Sequence, residues 1–312
     1  MSADRATGDR SLAMVGLGRM GASMLRRLAR AGFRVCGYDV AESARAALAD
    51  EPNVTTADSL AGTIAQLRSP RAVWVMLPAG AITNQTIDAL ASLLSPGDVI
   101  LDGGNADYHD TLRQAAALEA RGLHFIDVGV SGGVWGLTEG YGLMFGGPPA
   151  AVAPLLPLFK ALAPAADRGW IHCGPTGSGH YTKMIHNGIE YGVMQAYAEG
   201  FALLHAKQEF ALDVAAIAEA WRHGTVVRSW LLDLAAGALR ADPSMDKVAP
   251  VVADSGEGRW TVKEGLDLGV PLPVTAAALN VRLASQGRGD YGARFLARLR
   301  NAFGGHAVKT EP

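Results

Sequence analysis

Lys183, Asn187 and Glu190 stand at i, i+4 and i+7 in the stretch Gly177-Ser178-Gly179-His180-Tyr181-Thr182-Lys183-Met184-Ile185-His186-Asn187-Gly188-Ile189-Glu190-Tyr191. On a helix that spacing puts an amine, an amide and a carboxyl group on one face. His186 and Tyr191 flank the stripe, and Met184, Ile185, Ile189 and Val193 cover the other sides. A helix apolar nearly all round is normally buried. A buried Lys or Glu then needs a partner or a task, because desolvating either alone is costly. The task this stripe suits is proton transfer; the plainer alternative is a solvated polar face with an ordinary Lys-to-Glu contact.

Two other segments carry polar groups and close-approach backbone. Asp102-Gly103-Gly104-Asn105 follows one predicted strand, and Asp127-Val128-Gly129-Val130-Ser131-Gly132-Gly133 follows another. Ligands of α/β sheets bind outside the carboxyl ends of the strands, so the three segments are expected to converge on one cleft. Taken singly, Asn105 reads as a turn residue and Ser131 as a cap.

A cofactor would enter at Met14-Val15-Gly16-Leu17-Gly18-Arg19-Met20-Gly21, a glycine fingerprint that follows a strand and opens a helix, with Asp39 at the end of the next strand. Gly16 permits the tight turn, Gly18 lets a pyrophosphate approach the backbone, and Gly21 lets the helix pack closely, so that its N-terminus faces the phosphates. Leu17, Arg19 and Met20 belong to the same loop, and Leu77-Pro78-Ala79 at the end of another strand, with Asn105, complete the expected cofactor contacts. Asp39 can accept from both adenosine ribose hydroxyls, whereas a 2′-phosphate would meet a like charge with no Arg in Val40-Ala41-Glu42 to offset it. NAD is the expected cofactor, in preference to NADP.

The elements that must position these groups follow from periodicity. Short apolar runs alternate with helical patterns from Ser11 to about Cys173, predicting strands over Leu12–Leu17, Arg34–Tyr38, Ala72–Leu77, Val99–Leu101, Phe125–Val128, Gly142–Phe145 and Trp170–His172. After the glycine cluster Gly174 to Gly179, Ala/Leu-rich helical patterns continue to Phe303, broken by loops at Lys207–Leu212, Ala241–Pro250 and Ser255–Gly258. The expected architecture is α/β, an N-terminal doubly wound Rossmann-type domain (1–179) with a C-terminal all-helical domain (180–312) for substrate and dimerisation.

A chain of 312 residues, 49% apolar, can fill two cores. Its 28 Lys and Arg against 30 Asp and Glu give no electrostatic case for nucleic acid or an anionic membrane, so a small molecule is the expected partner. Cys36 and Cys173 fall in predicted strands without metal-ligand spacing and are expected to be buried and reduced. Met1 to Arg10 is polar, Ala307 to Pro312 reads as a loose tail, and no run of about 18 apolar residues could span a bilayer. The expected setting is cytoplasmic.

These segments resemble the β-hydroxyacid dehydrogenases and, within them, the 6-phosphogluconate dehydrogenases, from about Leu12 to His306. The wider family shares the Gly-Leu-Gly-Arg-Met-Gly start, the Ser131-Gly132-Gly133 loop and the Lys183/Asn187 pair. Asp102-Gly103-Gly104-Asn105, the Lys183 to Tyr191 stretch and Phe303-Gly304-Gly305-His306 are similar to the 6-phosphogluconate dehydrogenases in particular. The resemblance implies that Asn105, Ser131, Gly132, Gly133, His186, Asn187 and Tyr191 contact a sugar acid, with Lys183 and Glu190 doing the proton chemistry. It also implies that Arg282 reads a phosphate, that Arg259 is a candidate for the same group, and that Arg300 and His306 reach a neighbouring subunit's site in a homodimer or homotetramer. The second half of the longer enzymes' helical domain is missing, and the loop Asp254 to Trp260 is shorter than theirs.

The implied reaction is oxidative decarboxylation of 6-phosphogluconate to ribulose 5-phosphate. Alcohol oxidation needs a base, and a lysine serves only when neutral, a state that burial and a nearby nicotinamide cation favour. The β-keto acid loses carbon dioxide if its developing enolate oxygen is stabilised, for which the Lys183 ammonium is suited. Glu190, kept protonated by apolar surroundings, would then protonate C1 of the enediol to give ribulose 5-phosphate. No convincing carboxylate cluster suggests a metal. Two rivals remain: a 3-hydroxyisobutyrate-type dehydrogenase that does not release carbon dioxide, and a non-catalytic NAD-binding sensor.

Overall fold

The computed structural model describes residues 10–309 and divides into two compact units, Met1–Ile185 and His186–Pro312. The first holds strands β1 (Ser11–Val15), β2 (Arg34–Tyr38), β3 (Val54–Thr56), β4 (Ala72–Val75), β5 (Val99–Asp102), β6 (His124–Ser131), β7 (Gly142–Gly146) and β8 (Trp170–Gly174). They form one sheet in the order β3-β2-β1-β4-β5-β6-β7-β8. Neighbours are parallel except β6 and β7, which run antiparallel from Asp127 opposite Gly146 to Ser131 opposite Gly142. The order reverses between β1 and β4, which makes a crevice at the carboxyl ends of those strands.

Helices α1 (Arg19–Arg30), α2 (Glu42–Ala46), α3 (Leu60–Ala65), α4 (Ala81–Leu93), α5 (Tyr108–Glu119), α6 (Gly136–Glu139), α7 (Pro149–Val152) and α8 (Leu156–Leu162) connect the strands. Side chains alternate across a strand, so one strand feeds two cores. Leu12 and Met14 of β1 join Met24, Leu25 and Leu28 of α1 and Phe159 of α8 on one face. Ala13 and Val15 join Ile87 and Leu90 of α4 and Leu118 of α5 on the other. Burial on both faces is why these strands read as unbroken apolar runs rather than as alternating ones.

All seven expected strands are present; β5 to β8 run one to four residues further than expected, whereas β1 and β4 end two residues earlier, at Val15 and Val75, where the chain turns into the crevice loops. β3 is additional: Val54-Thr55-Thr56 has no apolar run to announce it and exists by parallel pairing with β2. Cys36 is buried as expected, whereas Cys173, on the terminal strand β8, is only half-buried; both are free thiols.

Helix α9 (Ser178–Ala206) runs across the division, and the second unit adds α10 (Val214–Trp221), α11 (Trp230–Ala241), α12 (Glu257–Asp267), α13 (Pro273–Ala284) and α14 (Asp290–Gly304). Glu257 and Gly258 are buried in the first turn of α12 instead of lying in a loop. Gly258 sits so close to the Tyr191 ring that a Cβ there would fall 2.5 Å from Cε2. No described helix is long and apolar enough to cross a membrane. Residues 1–9 and 310–312, which include most of the polar start and half of the expected tail, lie outside the described residues.

Candidate active site

At the β1 end of the crevice, Gly16 has φ +94°, and a Cβ on it would lie 2.4 Å from the Met76 carbonyl oxygen. Only glycine makes this turn without strain. A Cβ on Gly21 would fall 1.9 Å from the Gly16 carbonyl oxygen, so α1 is drawn onto the loop by the absence of that atom. Gly18 is the opposite case: a Cβ there would meet nothing within 4 Å, and no side chain caps the N-terminus of α1. Closed at Gly16 and Gly21 and open at Gly18, the loop fits a pyrophosphate laid on uncapped helix amides. Arg19 is exposed and Met20 half-buried at the start of α1. Leu77 reaches both sides of the crevice: its Cδ2 borders Gly16, and its carbonyl oxygen lies 3.0 Å from where a Gly104 Cβ would be. Pro78 and Ala79, beyond it, are exposed.

Asp39 caps this arrangement. Oδ2 accepts the Leu17 N–H at 2.8 Å and Oδ1 the Ala41 N–H at 2.9 Å, tying the glycine loop to the turn after β2. Four lone-pair sites leave room for ribose hydroxyls as well. Sequence reading missed Arg45, whose Nη1 donates to the carbonyl oxygens of Asp39 at 2.6 Å and Val40 at 3.3 Å. A cation therefore adjoins this turn, six residues after Asp39 in sequence.

The carboxyl ends of β5 and β6 supply the next layer. Burial pushes the Asp102 carboxyl above the usual carboxylate range, opposed by the nearby His180 ring and the Gly104 N–H, which Oδ1 accepts at 2.9 Å. Asn105 is exposed at the loop's tip, and Ser131 is half-buried where β6 ends, followed by Gly132 at φ +137° and Gly133 at φ +52°. Asp127 caps α9: Oδ1 accepts the Gly177 N–H at 2.7 Å and Oδ2 the His180 N–H at 2.8 Å. Lys183 is 6% exposed, and a Cβ on Gly129 would come within 2.3 Å of the Lys183 Cβ. Gly129 therefore lets α9 press the base candidate onto β6. Neither Gly129 nor Asp127 was legible as a positioning device, because their partners lie some fifty residues away.

In the second unit the structure brings His186, Asn187 and Glu190 together. His186 Nδ1 lies 3.1 Å from Asn187 Oδ1 and 3.8 Å from Glu190 Oε2. Asn187 is buried. The Glu190 side chain, however, is 37% exposed, and Ile189 beside it is 62% exposed. The apolar enclosure expected around Glu190 is thus not supplied by its own chain; this part of α9 is buried on some sides and open on others.

Tyr191 gathers a second group. Its hydroxyl donates to Asp254 Oδ1 at 3.4 Å, Arg259 pairs with the other oxygen of Asp254, and the Arg282 guanidinium stacks 3.5 Å from the Tyr191 ring centre while Nη1 donates to the Ala253 carbonyl at 3.2 Å. Arg259 and Arg282 are therefore neighbours of one tyrosine, with Asp254 offsetting part of their charge. Asp254 had no sequence signal beyond heading the short loop. Arg300 and His306, on and just after α14, are both exposed.

A doubly wound sheet with a dinucleotide-type glycine loop, joined to a helical unit through a helix carrying Lys, Asn and Glu, defines an NAD-binding oxidoreductase architecture. The family model for the NAD-binding domain of 6-phosphogluconate dehydrogenase matches residues 11–174, and that for the 6-phosphogluconate dehydrogenase C-terminal domain matches 179–306. An NAD(+)-dependent, decarboxylating 6-phosphogluconate dehydrogenase of Haloferax volcanii is 41% identical over 298 residues, covering 95% of this chain and 98% of that protein. A decarboxylating 6-phosphogluconate dehydrogenase of Synechococcus elongatus is 37% identical over 286 residues, 87% of this chain but only 61% of the relative. Among solved structures, Plasmodium falciparum 6-phosphogluconate dehydrogenase, determined apo and with NADP+ or 6-phosphogluconate, has TM-score 0.80 at 25% identity, covering 98% of this chain and 67% of that one. The chain belongs to the 6-phosphogluconate dehydrogenase family, and the match spans nearly the full length of the Haloferax volcanii relative.

Proposed function

We propose that this chain catalyses the NAD-dependent oxidative decarboxylation of 6-phosphogluconate to ribulose 5-phosphate and carbon dioxide. The observation that carries the reading is a buried Lys183, seated on Gly129, one helical turn before the linked His186, Asn187 and Glu190. NAD, held by the Gly16–Gly21 loop and Asp39, supplies the hydride acceptor. Lys183 takes the proton from the C3 hydroxyl as the carbonyl forms. Once protonated, Lys183 donates to the C3 oxygen while the C1 carboxylate leaves as carbon dioxide, stabilising the enolate charge. Glu190 then delivers a proton to the former C2 of the substrate, which becomes C1 of ribulose 5-phosphate, with His186 adjacent to the Glu190 carboxyl group. Asn105, Ser131, Gly132, Gly133, His186, Asn187 and Tyr191 hold the sugar acid, and Arg282, with Arg259 beside it, receives the phosphate. Residues 1–179 form the cofactor-binding domain, which also lends Asn105 and the Ser131–Gly133 loop to the substrate, and 180–312 the substrate and dimerisation domain, in a reducing cytoplasm that suits two free thiols.

Assaying 6-phosphogluconate with NAD and with NADP, while monitoring carbon dioxide beside NADH, tests substrate, cofactor and decarboxylation together. NADH without carbon dioxide would favour a 3-hydroxyisobutyrate-type reaction, and no turnover a sensor. NAD should be used at least tenfold more efficiently than NADP, since each decade of specificity needs only about 1.4 kcal/mol and a carboxylate facing a 2′-phosphate exceeds that. Asp39→Asn should narrow the gap, the more so because Arg45 adjoins the same turn. Equal kcat/KM for the two cofactors in the unaltered enzyme would remove Asp39 from that role.

A homodimer at least is part of this proposal. Helix α14 exposes Tyr291, Phe295, Leu296 and Leu299, the last three 47–59% accessible, along one stripe. Such a contiguous apolar surface is typical of an interface. If Arg300 and His306 act in the neighbour's site, mixing a Lys183→Ala chain with a His306→Ala chain should restore part of the activity lost by each, through hybrid sites. Purified heterodimers as inactive as the parents would rule out the shared site.

A further inference from the structure

His180 lies one turn before Lys183 on α9 and is 2% exposed. Its Nε2 is 3.1 Å from the Asp102 carbonyl oxygen. A carbonyl only accepts, so Nε2 carries the hydrogen. Its Nδ1 is 2.7 Å from the Thr111 hydroxyl of α5, which donates to it when the ring is neutral. Its backbone N–H is held by Asp127 of β6. One residue of the catalytic helix is thus fastened to the end of β5, to α5 and to β6. The carbonyl it holds belongs to Asp102, whose own carboxyl group shapes the following loop by accepting the Gly104 N–H. That loop carries Asn105. Lys183, three residues further along the helix, is seated on Gly129 of β6. The hydrogen bond between His180 and Asp102 is therefore a direct strut between the helix that carries the base and the loop that carries Asn105.

We propose that His180 is a positioning residue for this reaction: through Nε2–H to the Asp102 carbonyl it sets Lys183 against the Asp102–Asn105 loop. The proposal rests on Lys183 being the base, as argued above. Misplacing a catalytic group by about 1 Å can cost on the order of a hundredfold in rate, so the strut governs turnover more than binding.

Two amide variants separate the strut from mere space-filling. Gln at 180 places a donor nitrogen where Nε2 stood and keeps the link to Asp102; Asn at 180 mimics Nδ1 and keeps only the link to Thr111. His180→Gln is expected to retain kcat within about threefold. His180→Asn is expected to lose about ten- to a hundredfold in kcat, with a smaller change in KM, unchanged NAD affinity by calorimetry, and a larger primary isotope effect with deuterium at C3 of 6-phosphogluconate. Thr111→Val, which leaves the imidazole and its bond to Asp102 in place, should keep kcat within about threefold even if the melting temperature falls; it decides the matter if the 180 variants do not fold. Equal activity of the Gln and Asn variants, or a tenfold fall in kcat for Thr111→Val, would overturn the proposal while leaving the function intact. An unaltered enzyme that does not turn over 6-phosphogluconate would overturn the functional reading, and the proposal with it.

Discussion

Lys183→Met is expected to remove hydride transfer itself, lowering the single-turnover rate of NADH formation by about a hundred- to ten-thousandfold. Methionine matches the length and apolar stem of lysine, and the site is 6% exposed, so the exchange deletes the amine without opening a cavity beside Gly129. Cofactor binding should survive, because the Gly16–Gly21 loop and Asp39 are fixed by contacts that do not include Lys183. A rapid-mixing experiment that follows NADH in the first turnover, with NAD affinity measured separately, checks both halves. A normal NADH burst would show that Lys183 is not the base.

Glu190→Gln is expected to fail at a different step. If Glu190 protonates the five-carbon enediol after decarboxylation, the variant should reduce NAD and release carbon dioxide in the first turnover, and then form ribulose 5-phosphate slowly, by a factor in the same general acid–base range of about a hundred- to ten-thousandfold. Glutamine keeps the shape and can still meet His186, so the loss would report the missing proton rather than lost packing. The 37% exposure of this side chain makes the experiment pointed: a carboxyl group open to solvent in its own chain acts as the acid only if substrate or a neighbouring subunit closes over it. Ketose formation at the unaltered rate would leave Glu190 a binding or structural residue. The exposed Ile189 predicts further that dilution to monomer should affect this step before it affects NAD binding.

Much of this was legible along the chain because it depends on local pattern. The strands announced themselves as apolar runs, since a sheet covered on both faces needs no polar alternation. The glycine loop was readable because the positive φ of Gly16 and the close approach at Gly21 permit hardly any other residue, so geometry is written as residue type. The Lys183, Asn187 and Glu190 stripe was readable because helical spacing is a property of sequence. β3 was not, because three residues with one valine become a strand only when β2 offers an edge.

Contacts between distant segments had no such record. Nothing in the sequence pairs Gly129 with Lys183, Asp102 with His180, or Asp254 with both Tyr191 and Arg259, because each pairing is fixed by the order in which strands and helices stack. Burial was likewise decided in three dimensions. The sequence by itself determined the alternating α/β architecture, the dinucleotide loop and the identity of the proton-transfer stripe. Only the tertiary structure decided that Lys183 is enclosed and Glu190 left partly open, since a helix's own periodicity says which residues share a face but not how much of that face its neighbours cover.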